Sequence, residues 1–184
     1  MTLPTYAELH CLSNFSFLRG ASHPEELVAR AHVLGYTALA ITDECSVAGV
    51  VRAHLAVKTC NAQNRERPPM KLLIGSEMSV ENGPKLVVLA TNRAGYGALC
   101  ALITRARMRT RKGEYRVELA DLENGLPGCL VLLVPDAQCN AVHAQFVAQH
   151  FPGRAWIAVE LVCGPNDAAR LTALRTLSAS SSGG

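Results

Sequence analysis

Six short runs rich in branched apolar residues alternate with longer segments of helical periodicity, and this alternation constrains the fold more than any other feature of the chain. The runs predicted as strands are residues 6–9, 38–42, 71–79, 85–90, 129–134 and 155–162. Strands separated by helices are typical of β/α units around a mostly parallel sheet or barrel. The sequence therefore predicts an α/β fold.

Local signals mark the first helix. Ser22 and Glu25 have the spacing of a capping box, and Pro24 lies where a first helical turn would begin. Gly35 can adopt the left-handed conformation that ends a helix. The sequence therefore predicts a helix between these signals.

The later part of the chain carries a turn signal and three more helical patterns. The Asn82-Gly83 pair separates two predicted strands and is typical of a tight hairpin, so these strands are expected to be antiparallel or closely consecutive. The helical patterns lie at about 93–110, 138–150 and 166–177. Residues 178–184 are small and polar and are predicted to form a flexible tail.

Composition narrows the class of protein. At 184 residues, with 49% hydrophobic and 18% charged, the chain can form one domain with a buried core. No apolar run reaches the roughly 20 residues of a membrane helix, and residues 1–6 lack the pattern of a secretory signal, so we expect a cytoplasmic protein without membrane contact. Seven irregularly spaced cysteines argue against a disulfide framework. The net charge of +3 is too small to identify a dedicated nucleic-acid binder.

Three segments carry a family resemblance. Residues 8–22 read ELHCLSNFSFLRGAS, residues 35–43 read GYTALAITD, and residues 73–77 read LIGSE. They resemble motifs of the PHP (polymerase and histidinol phosphatase) metal-dependent phosphoesterases, in the version that opens the alpha-type catalytic subunits of bacterial DNA polymerases. Residues 94–104, 111–116 and 125–130 are similar to the error-prone, translesion branch of those subunits.

The resemblance implies a distorted PHP-type β/α barrel that is incomplete at its carboxyl-terminal end. The PHP domain would occupy residues 1–177 as the amino-terminal part of a larger polymerase subunit, followed by the tail at 178–184. An incomplete barrel exposes a strand edge and apolar surface, so the isolated chain is expected to associate.

The family places its metals at the carboxyl ends of the barrel strands, where His, Asp and Glu side chains converge. By resemblance, His10 matches the first ligand histidine, Glu77 matches the ligand glutamate, and Asp43 belongs to the family's Thr-Asp-His motif. The positions at which this sequence departs from the ligand pattern are Leu12, Arg19, Glu44 and Lys85. The resemblance thus implies a vestigial site of His10, Asp43, Glu44 and Glu77.

These departures predict that the chain has no catalytic metal centre and no catalytic residues. Leucine has no lone pair to donate, and arginine brings a fixed positive charge where a cation would lie. Glu77 is expected to form an ion pair with Arg19 or Lys85 instead. A single ion held by His10, Glu44 and Glu77 is the alternative. The family site would hold zinc or manganese, whereas no cofactor is expected here.

Three side chains near this site have a second interpretation. Asp43 follows a strand and could cap the next turn through its carboxylate. Cys11 and Cys45 could be zinc ligands, but small buried thiols are more often inert.

The resemblance implies a scaffold role within an error-prone, damage-induced DNA polymerase, a DNA-directed nucleotidyltransferase. The chain alone should not polymerise, because it lacks the paired carboxylates that hold magnesium for nucleotidyl transfer. The implied partners are the rest of the polymerase chain, DNA, a sliding clamp and accessory mutagenesis proteins.

Two other functions compete with the scaffold. One is a metal-dependent PHP phosphoesterase or 3′–5′ exonuclease, for which the altered ligand positions are unfavourable. The other is a nucleic-acid-binding module that uses Arg105, Arg109 and Lys112, which share one face of a predicted helix. Cations at a helix carboxyl terminus are also favoured by the helix dipole alone, so we expect only weak DNA binding.

Overall fold

A computed structural model describes residues 5–64 and 68–181, and the chain divides into two compact units, residues 1–77 and 78–184. The elements of the first unit are β1 (Ala7–Cys11), α1 (Pro24–Val33), β2 (Ala38–Ile41), α2 (Val50–Gln63) and β3 (Lys71–Ser79), whose last two residues enter the second unit. The elements of the second unit are β4 (Lys85–Ala90), α3 (Arg93–Met108), a short 3-10 helix (Leu119–Asp121), β5 (Cys129–Val134), α4 (Ala141–His150), β6 (Ala155–Ile157) and α5 (Asp167–Ser181). Across the described residues, no helix is both long enough and apolar enough to cross a membrane.

The first unit is built on three parallel strands. β2 pairs with β1 on one side and with β3 on the other, and all four of its residues are buried. Both helices contribute to one apolar core against β2. The core residues are Val28, Ala31, Leu39, Ile41, Ala53, Val57 and Met70. Parallel pairing brings the carboxyl ends of the three strands to the same edge, where the candidate ligands were predicted.

The amino terminus of α1 lies one residue later than predicted. His23 is the N-cap, not Ser22, and its backbone N–H donates to Oε2 of Glu26, not of Glu25, at 2.7 Å. The cause is Pro24, the first helical residue, because a proline ring disfavours helical dihedral angles in the preceding residue. Gly35 has a φ of +77°, which confirms its predicted role at the end of the helix.

The second unit combines antiparallel and parallel pairing. β4 pairs antiparallel with β5, from Lys85 opposite Val134 to Ala90 opposite Cys129, and β6 pairs parallel with β5. The predicted turn at Asn82-Gly83 is confirmed, since Asn82 has a φ of +53° and Gly83 N–H donates to Val80 O at 3.0 Å.

The last strand is shorter than the predicted run of residues 155–162. Ala155 lies opposite Val131 and Ile157 opposite Leu133, so a longer β6 would next need Pro135, which has no N–H to donate. The predicted helices otherwise match α3, α4 and α5 within a few residues, and α2 was not singled out by the sequence.

The last residues of the chain were predicted to form a flexible tail. α5 continues to Ser181, so residues 178–181 of that segment are helical. Residues 182–184 of the predicted tail lie outside the described residues.

Candidate functional site

The centre of the candidate site is the carboxylate of Glu77 in β3, which is completely buried. Nη2 of Arg19 donates to Oε2 at 3.1 Å, and Nη1 of Arg19 contacts Oε1. His10 in β1 places Nε2 2.8 Å from Oε2. The predicted ion pair between Glu77 and Arg19 is therefore confirmed, and a fixed cation neutralises the buried charge.

Arg19 also reaches a second carboxylate. Its Nη1 donates to Oε2 of Glu44 at 3.0 Å, and Glu44 forms a parallel bridge with Glu77. The hydrogen bond to Glu77 raises the pKa of Arg19 above its usual range, and it outweighs the lowering by burial. One permanently charged guanidinium thus serves two carboxylates.

Asp43, which follows β2, is buried and organises the loop after β1. Its Oδ1 accepts from the N–H of Ser13 at 2.8 Å and from the hydroxyl of Ser16 at 2.8 Å, and its Oδ2 accepts from the hydroxyl of Ser13 at 2.7 Å. The hydroxyl of Ser16 in turn accepts from the N–H of Glu44 at 2.9 Å. Asp43 therefore fixes a loop.

The serine partners of Asp43 were not predicted. The available signal was the Ser-x-x-Ser spacing of Ser13 and Ser16 after a strand, combined with an aspartate after the next strand. Parallel neighbouring strands place such residues at one edge.

The loop of residues 13–20 closes on Gly20. A β-carbon added at Gly20 would lie 2.0 Å from the carbonyl oxygen of Ser13, so no other residue fits without moving the backbone. The N–H groups of Arg19 and Gly20 both donate to Ser16 O at 3.0 Å. This closure directs the Arg19 side chain towards Glu77.

Two positions at which the family has a ligand carry Leu12 and Lys85 in this chain. Leu12 is partly buried, and Lys85 is the first residue of β4 in the second unit. Burial raises the pKa of Cys11 to about 11, which makes the thiolate that zinc binds harder to form. Among the described residues, no group of three or more His, Cys, Asp and Glu side chains is arranged to hold a metal ion.

The basic run at the end of α3 is largely engaged within the second unit. Nη2 of Arg109 donates to Oδ1 of Asp121 at 3.0 Å, and Nε of Arg105 lies 3.5 Å from the same oxygen. Arg107 donates to Glu114 O at 3.2 Å. Two of the three residues predicted to contact nucleic acid thus face an internal carboxylate, while Lys112 is exposed.

The pKa of Asp121 reports on this pairing. Burial raises it, but the hydrogen bonds from Arg109 and from the N–H of Glu118, together with the charges of Arg109 and Arg105, outweigh burial. The net effect lowers the pKa of Asp121 below its ordinary value. The pair is therefore ionised at neutral pH.

The chain belongs to the PHP domain family, whose model matches residues 8–160. Its relatives include error-prone DNA polymerases from Dechloromonas aromatica (strain RCB), 57% identical with 96% of this chain and 17% of the relative covered, and from Aromatoleum aromaticum, 57% identical with 92% and 16% covered. The chain thus matches the PHP domain of error-prone DNA polymerases and spans about one sixth of their length.

Solved structures show the same fold. A protein from Bifidobacterium adolescentis described as a metal-dependent phosphoesterase superposes with a TM-score of 0.65 at 16% identity, with 96% of this chain and 84% of that chain covered. An amidohydrolase from Chromobacterium violaceum gives a TM-score of 0.58 at 19% identity, with 83% and 76% covered. The predicted fold class, a distorted PHP-type β/α barrel, is confirmed by these matches.

Proposed function

We propose that this segment is a structural PHP domain within an error-prone DNA polymerase and that it does not act as a metal-dependent phosphoesterase. The observation that carries the proposal is the Arg19 guanidinium bound to the buried carboxylate of Glu77. In the family that the sequence resembles, the corresponding glutamate binds metal. Here its charge is compensated by a side chain of the same unit.

Electrostatics argue against a metal beside this guanidinium. Two unit charges of like sign 4 Å apart repel by about 4 kcal/mol at an effective dielectric constant of 20, and a divalent ion doubles the effect. A metal would therefore have to displace Arg19 from both Glu77 and Glu44. That exchange would break the contacts of Arg19 with two carboxylates, which opposes metal binding.

The neighbouring groups do not supply metal-free hydrolysis either. A hydrolytic mechanism needs a base beside a nucleophile or an activated water. The hydroxyls of Ser13 and Ser16 are buried and donate to Asp43, which holds them in the loop. His10 faces Glu77, where it completes the contacts of a structural carboxylate.

The rest of the proposal concerns the whole polymerase. The relatives of this chain are named error-prone DNA polymerases. We therefore infer that the parent chain synthesises DNA across damage, and that the residues that hold magnesium for this reaction lie outside this segment. DNA, a sliding clamp and accessory mutagenesis proteins are its proposed partners, and the cytoplasm its proposed compartment. In this proposal, the segment has a structural role and supports the rest of the polymerase chain.

Elemental analysis combined with a phosphodiesterase assay tests the structural role. We expect purified protein to contain no stoichiometric zinc or manganese and to release no product from bis-p-nitrophenyl phosphate or single-stranded DNA. Near-stoichiometric metal with turnover that is abolished by His10→Ala or Glu77→Ala, but retained in the exposed control Glu123→Ala, would overturn the proposal. Protein that contains metal but shows no turnover would still be consistent with a structural role, and it would indicate that Glu44 is a metal ligand.

A nucleic-acid-binding module is the weaker candidate. Arg105 and Arg109 are already paired with Asp121, which reduces the positive charge available to phosphates. A DNA titration at several salt concentrations separates the two functions, because phosphate contacts give a steep dependence on salt. Sub-micromolar affinity that persists at physiological salt would favour the binding module.

A further inference from the structure

Phe17 and Leu18 form an exposed apolar tip on the loop of residues 13–20. These residues are 84% and 89% exposed, the highest values among the large hydrophobic residues of the described chain. Single exposed apolar residues are common, whereas these two are adjacent and form one apolar patch at the loop tip.

The tip is held firmly on both sides. Ser16, before it, donates to the buried carboxylate of Asp43 at 2.8 Å. Arg19, after it, is bound to the buried carboxylate of Glu77. The two exposed residues thus lie between two anchors in the interior of the first unit, and their position is set in advance of any contact.

The backbone at the tip is strained. Leu18 has a φ of +60°, a left-handed conformation that glycine adopts freely and leucine adopts rarely. Leu18 buries little apolar surface against the described residues, since it is almost fully exposed. Strain retained at an exposed apolar side chain indicates that the side chain has a role in a contact.

The size of the tip identifies the kind of occupant. Stable interfaces between separate proteins bury at least about 1,000 Å², far more than two side chains supply. A covalently connected partner needs less, because its effective concentration reaches about the millimolar range. The curated relatives are about six times longer than this chain, which covers 16–17% of each, so most of the polymerase lies outside these residues.

We propose that Phe17 and Leu18 dock into an apolar pocket on the remaining part of the same polymerase chain. This inference rests on the proposed function, because it requires that the segment belongs to a larger polymerase. The loop that carries Arg19 in place of a metal ligand thereby presents a contact for the polymerase body. The edge of the first unit at which the family binds metal would then contact another part of the same chain.

Site-specific photo-crosslinking in the full-length polymerase tests the docking. Phe17 is replaced by p-benzoylphenylalanine, and crosslinked peptides are mapped by mass spectrometry after irradiation. The matched control carries the same group at Val33, the last residue of α1, which is 68% exposed. We expect position 17 to crosslink within one polypeptide to a peptide outside residues 1–184, with a yield several-fold above that of position 33.

A second variant separates docking from chance proximity. Leu18→Gly keeps the left-handed backbone and removes half of the apolar tip, so the crosslink from position 17 should fall several-fold. Crosslinks between two chains, crosslinks to added phosphatidylglycerol vesicles, or a yield no greater than that of the control would each overturn the inference. Such results would leave the proposed structural role intact, because metal content and hydrolysis test it separately.

Discussion

Each unit contains a cluster of arginine and carboxylate side chains, and the two clusters differ in the number of arginines per carboxylate. In the first unit one guanidinium, from Arg19, serves the carboxylates of Glu44 and Glu77. In the second unit two guanidiniums, from Arg105 and Arg109, serve the single carboxylate of Asp121. The first cluster therefore depends on each cation more strongly than the second.

The comparison explains why both clusters look functional in the sequence. Arg19 stands at a ligand position of the family motif, and Arg109 belongs to the densest basic run of the chain. In the structure both arginines neutralise carboxylates with almost no exposure, 0% for Glu77 and 5% for Asp121. In both units, an arginine at a position that looks functional in the sequence therefore stabilises a carboxylate of the same unit.

The largest effect is expected at Asp43, which positions the loop that delivers Arg19. Asp43→Ala removes the acceptor of three hydrogen bonds from buried or partly buried donors, so the free energy of unfolding should fall by about 3–4 kcal/mol. Urea unfolding measures the loss. The exposed control Glu123→Ala should stay within about 0.5 kcal/mol of the parent. A loss below about 1 kcal/mol for Asp43→Ala would show that the loop does not need its anchor.

The next effect separates the two arginines directly. Arg19→Met leaves two carboxylates without their shared cation and should cost about 2–3 kcal/mol. This is less than for a fully buried ion pair, because the Arg19 side chain is 33% exposed and partly screened by solvent. Arg109→Met should cost clearly less than Arg19→Met, since Asp121 keeps Arg105 and the N–H of Glu118. Urea unfolding of both variants gives the comparison.

A double variant controls for the lost side chain. Adding Glu77→Gln to Arg19→Met removes the buried negative charge and should recover part of the stability. Equal losses for the two single arginine variants would contradict the account of the charge ratio.

The smallest stability effect concerns acid. The folded pKa of Asp121 is lowered, so its contribution is fully present above the ordinary value of 3.8 and is lost as the pH falls through the lower folded pKa. Asp121→Asn should therefore reduce stability at pH 6 and flatten the decline of stability below about pH 4. Thermal unfolding between pH 2 and pH 7 measures both. An unchanged acid profile would mean that the Arg109–Asp121 pair contributes no pH-dependent stability.

Strand positions were largely predictable, because apolar runs and turn residues determine them locally. The bounds of β3, β4 and β5 match the predicted runs. The errors arose where a neighbour decides the outcome: Pro24 shifts the helix cap to His23, and Pro135 leaves β6 without a donor on β5. The spacing of apolar residues in α1 and β6 indicates neither the shifted helix cap nor the shortened strand.

The candidate site was predictable only in part. The pairing of Glu77 with Arg19 followed from opposite charges at two motif positions, and the structure confirms it. The clamp of Asp43 on Ser13 and Ser16 was missed because it joins two loops that only the strand pairing brings together. The exposure of Phe17 and Leu18 was also unpredicted, since their apolar character alone favours burial.

Metal-linked stability tests the central claim, that a guanidinium and not a metal compensates Glu77. A ligand that binds the folded state stabilises it by about 2.7 kcal/mol at 100 times its dissociation constant, which raises the melting temperature by several degrees. Manganese is the suitable probe, because thiols in the unfolded chain bind it weakly. We predict the same melting temperature in EDTA and in excess manganese. A rise with manganese that disappears in both His10→Ala and Glu77→Gln would contradict the account.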